Sequence, residues 1–334
     1  MSCRNPRREI AFSIWKEVFH DSDSFMSLYF QEVYSPEQTH LIVDYKHNKG
    51  IAHIQLLPYR IVVWGTRCGA GYISGAATNQ EYRASGIMPQ LMRRALVSMF
   101  QRGDIFSFLI PAEEWLYAYY TRKAGYASVT CRAIISPSQK ENTSKLEVNR
   151  ISLSTDVSVE NYKNFIRFRR KDWFFPHVEH SYAQWRTIVK DAALSNGGHQ
   201  EDYIIRYLGD VTQGVFTGAT SKSIRSNPRE KAIQIIAPSN FYPNAPIQKH
   251  GMLRIVRAED ALRLYAKTHP REMRTLDLID YEIPKNTGRY RISSGKVLYQ
   301  SLPPNRLSQR AFTPSQLAEE LFQQTPFYID LMLD

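Results

Sequence analysis

Apolar side chains recur at a helical period over residues 10–19 and again over 24–31. The polar break between them, His20-Asp21-Ser22-Asp23, supplies helix-capping side chains. The pattern then turns strand-like at 40–45 and 51–58, joined by the turn Asn48-Lys49-Gly50, and at a third run, 59–66. A small-residue strand at 72–78 enters a polar turn at 79–83, which opens onto an apolar helix at 87–100. Beyond it stands a buried strand at 104–110, bounded by Gly103 and Pro111. An aromatic helix at 115–123 follows and stops at Gly125-Tyr126.

Residues 137–144 are polar and punctuated, as a linker is. The pattern after it predicts helices at 158–170 and 181–193 and strands at 202–208, 214–219 and 231–236. A last stretch includes the run 251–256, then reads as a helix at 258–268 and strands around 273–281 and 288–293. A final helix begins at Thr313-Pro314-Ser315-Gln316, with Thr313 as N-cap and Pro314 as first helical residue. A chain of 334 residues exceeds one small domain. The expected sections are 1–137, 145–243 and 244–334, and the expected class is mixed α+β.

Chemistry concentrates at residues 74–88. A helix that starts in a loop leaves its first N–H groups unpaired, with the positive end of its dipole behind them. Such a start can cradle a phosphate. Ala84, Ser85 and Gly86 carry little side chain, so an anion can approach the backbone, and Arg83 adds positive charge. The same strand–turn–helix, taken alone, also reads as a plain connection.

Thr78, then Gln80-Glu81-Tyr82-Arg83 and Ala84-Ser85-Gly86-Ile87, resemble the acetyl-CoA loop of the GNAT acetyltransferases. In that family Pro-Glu-Tyr-Arg is followed by x-x-Gly-x-Gly or Ala. Gln80 stands where Pro is usual, and Met88 replaces the last small residue, lengthening the side chain at the loop's mouth. The resemblance implies that Ala76, Ala77 and Thr78 pair with the pantetheine arm of acetyl-CoA. It implies that Arg83, Ala84, Ser85, Gly86, Ile87 and Met88 grip the pyrophosphate. A second landmark is the helix after Pro111, where the family carries a Tyr that protonates the departing thiolate. Tyr120 is the candidate, one residue further from Gly125 than usual, and Tyr119 and Tyr117 stay open. An aromatic stripe at helical spacing is also what a core helix shows.

The three-part layout resembles the Eis-type acetyltransferases. These join an acetyltransferase domain to a second, CoA-free copy and a sterol-carrier-protein-like domain. Residues 56–59, 74–87, 111–126, 251–256 and 326–333 carry the likeness. It implies that the terminal carboxylate, here Asp334, reaches the active site, and that the protein is a homo-oligomer. The expected activity is acetyl transfer to a primary amine of a polyamine, an aminoglycoside-like molecule or a lysine. The alternative is a degenerate acetyltransferase that serves as a CoA-sensing or assembly module. Glu113 and Glu114 read either as a site for a cationic substrate or as acids suited to a helix N-terminus.

Composition adds little. The net charge is +11, but the basic residues are scattered. The densest cluster, Arg167, Arg169, Arg170 and Lys171 beside Trp173, Phe174 and Phe175, reads as the solvated face of an amphipathic helix. No nucleic-acid partner is expected. Cys3, Cys68 and Cys131 suggest neither a disulfide framework nor a metal site. Without a signal core or a membrane-length apolar run, the expected location is cytoplasmic, with no membrane association.

Overall fold

A computed structural model describes residues 6–47, 49–135, 157–172, 175–195, 235–237, 239, 244–330 and 332–333. In chain order its elements are α1 (Pro6–Phe19), α2 (Asp23–Glu32), β1 (Thr39–Asp44), β2 (Lys49–Val63), β3 (Thr66–Thr78), α3 (Ile87–Arg102), β4 (Phe106–Leu109) and α4 (Glu114–Ala124). They continue as β5 (Cys131–Ile135), α5 (Val159–Asp172), β6 (His177–Glu179), α6 (Tyr182–Ser195), β7 (Ile235–Ala237), β8 (Ile247–Lys249) and β9 (Met252–Ile255). The last are α7 (Ala258–Thr268), β10 (Arg274–Leu278), β11 (Gly288–Ser293), β12 (Lys296–Ser301) and α8 (Pro314–Phe322). Two compact units emerge: Met1–Val129 with Gly251–Thr325, and Thr130–His250 with Pro326–Asp334.

The sheet of the first unit is mixed, in the order β1-β2-β3-β4-β9. Only the β3–β4 pair is parallel. Alternation along β2 sorts its side chains. Ala52, Ile54 and Leu56 join Ile73 and the buried stripe of α3 (Leu91, Met92, Ala95, Leu96, Met99) in one core. Each buried Ile, Leu or Met there stabilises by about 1.5–3 kcal/mol. His53 lies on the other face, its ring 5.9 Å from that of Trp15 on α1. The architecture is the expected mixed α+β, with helices flanking a mixed sheet.

One expected boundary moves. The runs 51–58 and 59–66 form a single strand as far as Val63, and the chain reverses at Trp64-Gly65. Both turn residues take positive φ, +48° and +70°, the geometry that matches a hairpin's twist. Pro58 does not break β2, whose ladder with β3 runs through the pair Pro58↔Gly71.

Within the run 251–256, strand β9 extends this same sheet, pairing Phe106↔Ile255 through Leu109↔Met252. After it, β10, β11 and β12 form an antiparallel sheet against which α7 packs. Helix α8 has the capping box expected at Thr313: the hydroxyl accepts from the Gln316 N–H, and the Gln316 side chain returns to the Thr313 N–H. In the second unit β5 pairs with β7 and β8, and Phe165, Trp185 and Val189 bring α5 and α6 together. Phe327 and Tyr328 bridge to Thr130 and His177 there. The linker at 137–144, the strands at 202–208 and 214–219, most of 231–236, Cys3, Trp173, Phe174 and Asp334 lie outside the described residues.

Candidate active site

Strands β3 and β4 pair only at Ala70↔Phe106, Gly71↔Ser107 and Tyr72↔Phe108. β4 ends at Leu109 while β3 runs on to Thr78, so the two diverge. Among the described residues no strand pairs with positions 73–78 on that side, and an open strand edge is a template for an extended ligand. Ala76, Ala77 and Thr78 lie along it. The edge is also bulged: from His53↔Ala77 to Gln55↔Ser74 the partner strands advance by unequal steps, leaving an extra residue on β3. Gly75 at the bulge takes φ +56°, and a Cβ there would overlap the Trp15 ring. The Tyr29 and Ser74 hydroxyls share a hydrogen bond of 2.8 Å that pins the neighbouring residue.

The loop that follows is held by its own polar groups. Asn79 donates its backbone N–H to Ile51 and its side-chain amide to Gly50 at 2.7 Å. Arg83 Nε donates to the Thr78 carbonyl at 3.1 Å, and Ser85 Oγ donates to the Tyr82 carbonyl. Ala84 and Gly86 both take positive φ, +61° and +79°. Helix α3 then starts with no side-chain cap and no acid in its first turn, whereas Ser22 caps α2 and Thr313 caps α8. Pro89 has no N–H, so Gly86, Ile87 and Met88 carry the free donors of that helix start.

A Cβ added at Gly86 would meet nothing within 4 Å, so there is room for a ligand against this backbone. Ile87 and Met88 pack against the core. The length of Met88 is therefore taken up there and not at the loop's mouth, which corrects that expectation.

Helix α4 brings the tyrosines. Tyr120 is 7% exposed and packs in the core shared with α3, where burial raises its pKa and keeps it protonated. The Tyr117 hydroxyl takes the Gly251 N–H at 3.3 Å, and Tyr119 is half-buried against Tyr120. Glu113 is the N-cap residue of α4 and Glu114 its first residue; both are exposed, and Glu113 accepts the Trp115 indole N–H at 2.8 Å.

Reasoning from sequence missed the groups that hold α4 and the bulge. Tyr126 is buried, with its hydroxyl 2.6 Å from Ser107 Oγ and its pKa pushed up to about 12 by burial. Arg254 donates to the Ala124 carbonyl at the end of α4 and to Asp280 Oδ1 at 2.7 Å. His53, Gln55, Tyr29 and Ser74 converge behind the bulge. Only the apolar run around them, Ile51-Ala52, Ile54 and Leu56-Leu57, could have pointed to His53 and Gln55 as polar residues in a buried part of β2.

Residues 5–129 match the model of the acetyltransferase (GNAT) domain. That match and the mixed sheet flanked by helices agree on a GNAT-like fold for this part of the chain. Several solved structures share the fold over nearly the whole chain. A probable N-acyltransferase from Enterococcus faecalis V583 is similar at a TM-score of 0.61 and 15% identity, covering 97% of each chain. A GCN5-related N-acetyltransferase from Anabaena variabilis is similar at 0.59 and 14% identity, covering 98% of this chain and 97% of its own. Eis1 from Mycobacterium abscessus is similar at 0.58 and 14% identity, covering 90% and 84%. At these identities the likeness is one of fold. No curated protein matches the sequence. Among the described residues no group of His, Cys, Asp or Glu could hold a metal ion, and no helix is long and apolar enough to cross a membrane.

Proposed function

We propose that the chain is an acetyl-CoA-dependent N-acetyltransferase acting by direct attack of a primary amine. The amine is that of a small polyamine, an aminoglycoside-like molecule or a lysine side chain. What carries the reading is the uncapped start of α3 at Gly86 beside the open, bulged edge of β3. Acetyl-CoA supplies an activated acetyl thioester.

The chain's own residues do the rest. The N–H groups of Gly86, Ile87 and Met88 and the charge of Arg83 hold the pyrophosphate. The edge of Ala76, Ala77 and Thr78 receives the pantetheine arm as an added strand. Backbone N–H groups at the bulge polarise the thioester carbonyl. Tyr120, kept protonated by burial, returns a proton to the departing sulfur. Asp334 shares in holding the amine, as Glu113 and Glu114 do at the mouth of α4.

The reading extends to the Eis-type layout over 1–137, 145–243 and 244–334. Its last part would be sterol-carrier-like, with Met252–Ile255 lending a strand to the first sheet. It includes a cytoplasmic location and a homo-oligomer. The test is thiol release from acetyl-CoA against a panel of amines, with acetyl-CoA titration of Gly86→Glu alongside. The wild type should release thiol with at least one amine class, and the variant should lose acetyl-CoA binding through charge and bulk. Unchanged binding by Gly86→Glu would remove the loop assignment. Binding without release by the wild type would leave only a CoA-sensing module. Deleting Leu333 and Asp334 tests the tail, and an active truncated enzyme excludes it.

A further inference from the structure

Behind the bulge lies a polar pair left without partners. His53 and Gln55 of β2 stand opposite Ala77 and Ser74, so across the ladder they flank Gly75 and Ala76. Both have 0% exposure. Neither ring nitrogen of His53 and neither amide atom of Gln55 has a hydrogen-bond partner. Buried polar atoms are nearly always partnered, and four on neighbouring positions of one strand call for something that donates and accepts.

The surroundings narrow what that is. On β1, Leu41 faces His53; on β3, Ala77 does. From α1 comes the Trp15 ring, whose indole N–H is held by Asp21 at 2.9 Å. From α2 comes Tyr29, with its hydroxyl on Ser74. No charged neighbour shifts the imidazole: burial alone pushes its pKa down to about 3. It is therefore neutral at working pH, with one N–H to give and one lone pair to accept. Water satisfies such a set, and a buried polar site is where internal water resides.

We propose that His53 and Gln55 hold internal water behind the bulge, and that this hydrated pair is the route by which the proton of the attacking amine leaves. The inference rests on the acetyltransferase reading. The ammonium R–NH3+ gives one proton to the water, and His53 accepts it on one nitrogen while releasing one from the other to a second water that passes it towards solvent; the ring ends neutral as its other tautomer and returns to the first before the next transfer. The freed lone pair forms the C–N bond at the thioester carbonyl carbon. The neutral amine carries a second proton into the adduct, and that proton follows the same route. The C–S bond breaks, the sulfur takes its proton from Tyr120, and Tyr120 regains one of the released protons. One proton in all reaches solvent for each acetyl group transferred.

The test uses the full chain. A crystal structure of the wild type should show ordered water within hydrogen-bond reach of at least one of the four atoms. His53→Phe and Gln55→Leu should keep wild-type acetyl-CoA affinity by titration. Their amine-dependent thiol release should fall at least tenfold below the pKa of the amine and recover as pH rises, because only amine already neutral in solution can then react. A merely structural loss lowers the rate equally at every pH. His53→Gln, whose amide can hold the water but cannot pass a proton from one atom to the other, should keep the ordered water and acetyl-CoA affinity while losing rate at low pH as His53→Phe does.

Dry density around all four atoms overturns the inference, as does a wild-type pH profile in His53→Phe and Gln55→Leu. If the pair is hydrated but the wild type acetylates no amine in the panel, the acetyltransferase reading has failed and the proton route falls with it.

Discussion

Replacing Arg254 by Met removes a guanidinium that is fully buried in the first unit. Its Nη2 donates to Asp280 Oδ1 at 2.7 Å, its Nη1 donates to the Ala124 carbonyl, and Glu282 lies 3.8 Å away. Deleting one member of a buried ion pair costs about 3–5 kcal/mol, since the other is left uncompensated. Asp280 keeps three donors: Asn286 Nδ2 at 2.9 Å and the N–H groups of Glu282 and Ile283 at 3.1 and 3.0 Å. These place Arg254→Met at the low end, about 3 kcal/mol, or roughly 4 °C in Tm for a chain of 334 residues that unfolds as a whole.

Urea unfolding and calorimetry of Arg254→Met, Asp280→Asn and the double variant give the coupling directly. The double variant should recover part of the loss, because the neutral amide no longer needs a cation. A loss under about 1 kcal/mol, or two strictly additive losses, would refute the assignment of this pair as the anchor of α4.

Tyr120→Phe should lower kcat by about 100-fold or more with little change in acetyl-CoA affinity. Steady-state kinetics with wild-type rate and affinity would exclude Tyr120 as the acid. Gly75→Ala puts a methyl into the Trp15 ring at a positive φ and should destabilise by about 3 kcal/mol in thermal unfolding; an unmoved Tm would mean the bulge is not fixed by that contact. Asp277 accepts from Arg289 at 2.8 and 2.9 Å, and that bond holds its carboxyl below the usual range. Its contribution is complete above the unfolded value of about 3.9 and is lost as pH falls through the lower folded value. Asp277→Asn should thus destabilise at pH 7, and the gap to wild type should close in acid when unfolding is followed from pH 7 to 2.

Local signals carried much of this fold. The caps at Ser22 and Thr313, the 3.6-residue stripe of α3 and the short apolar β4 are each written in neighbouring residues. Two hairpins escaped for a local reason of another kind. Trp64-Gly65 and Ser294-Gly295 both turn through paired positive φ values, and neither Trp nor Ser announces that geometry. Strand β12, entered through the second turn, went unpredicted with it.

The candidate site was legible where backbone chemistry makes it, from Gly86 to Met88, because small residues before a helix imply free N–H groups. The groups that shape it were not. Arg254 meets Ala124 across 130 positions of sequence, and Tyr29 meets Ser74 across 45. His53 looked like any strand residue until its neighbours proved to be apolar.

The place of β9 in the first sheet bears on how the chain is made. Strand β4, Phe106–Leu109, is apolar and waits for Met252–Ile255 to cover its outer edge. Those residues are added about 145 positions later, which at roughly 5–20 residues per second is roughly 7–30 s of translation. Throughout that interval the nascent first section carries an open, apolar edge of the kind that recruits other chains. Its sheet is finished only when a strand from the last third of the sequence has been made, so completion of that layer waits on synthesis of the second unit's section between Thr130 and His250.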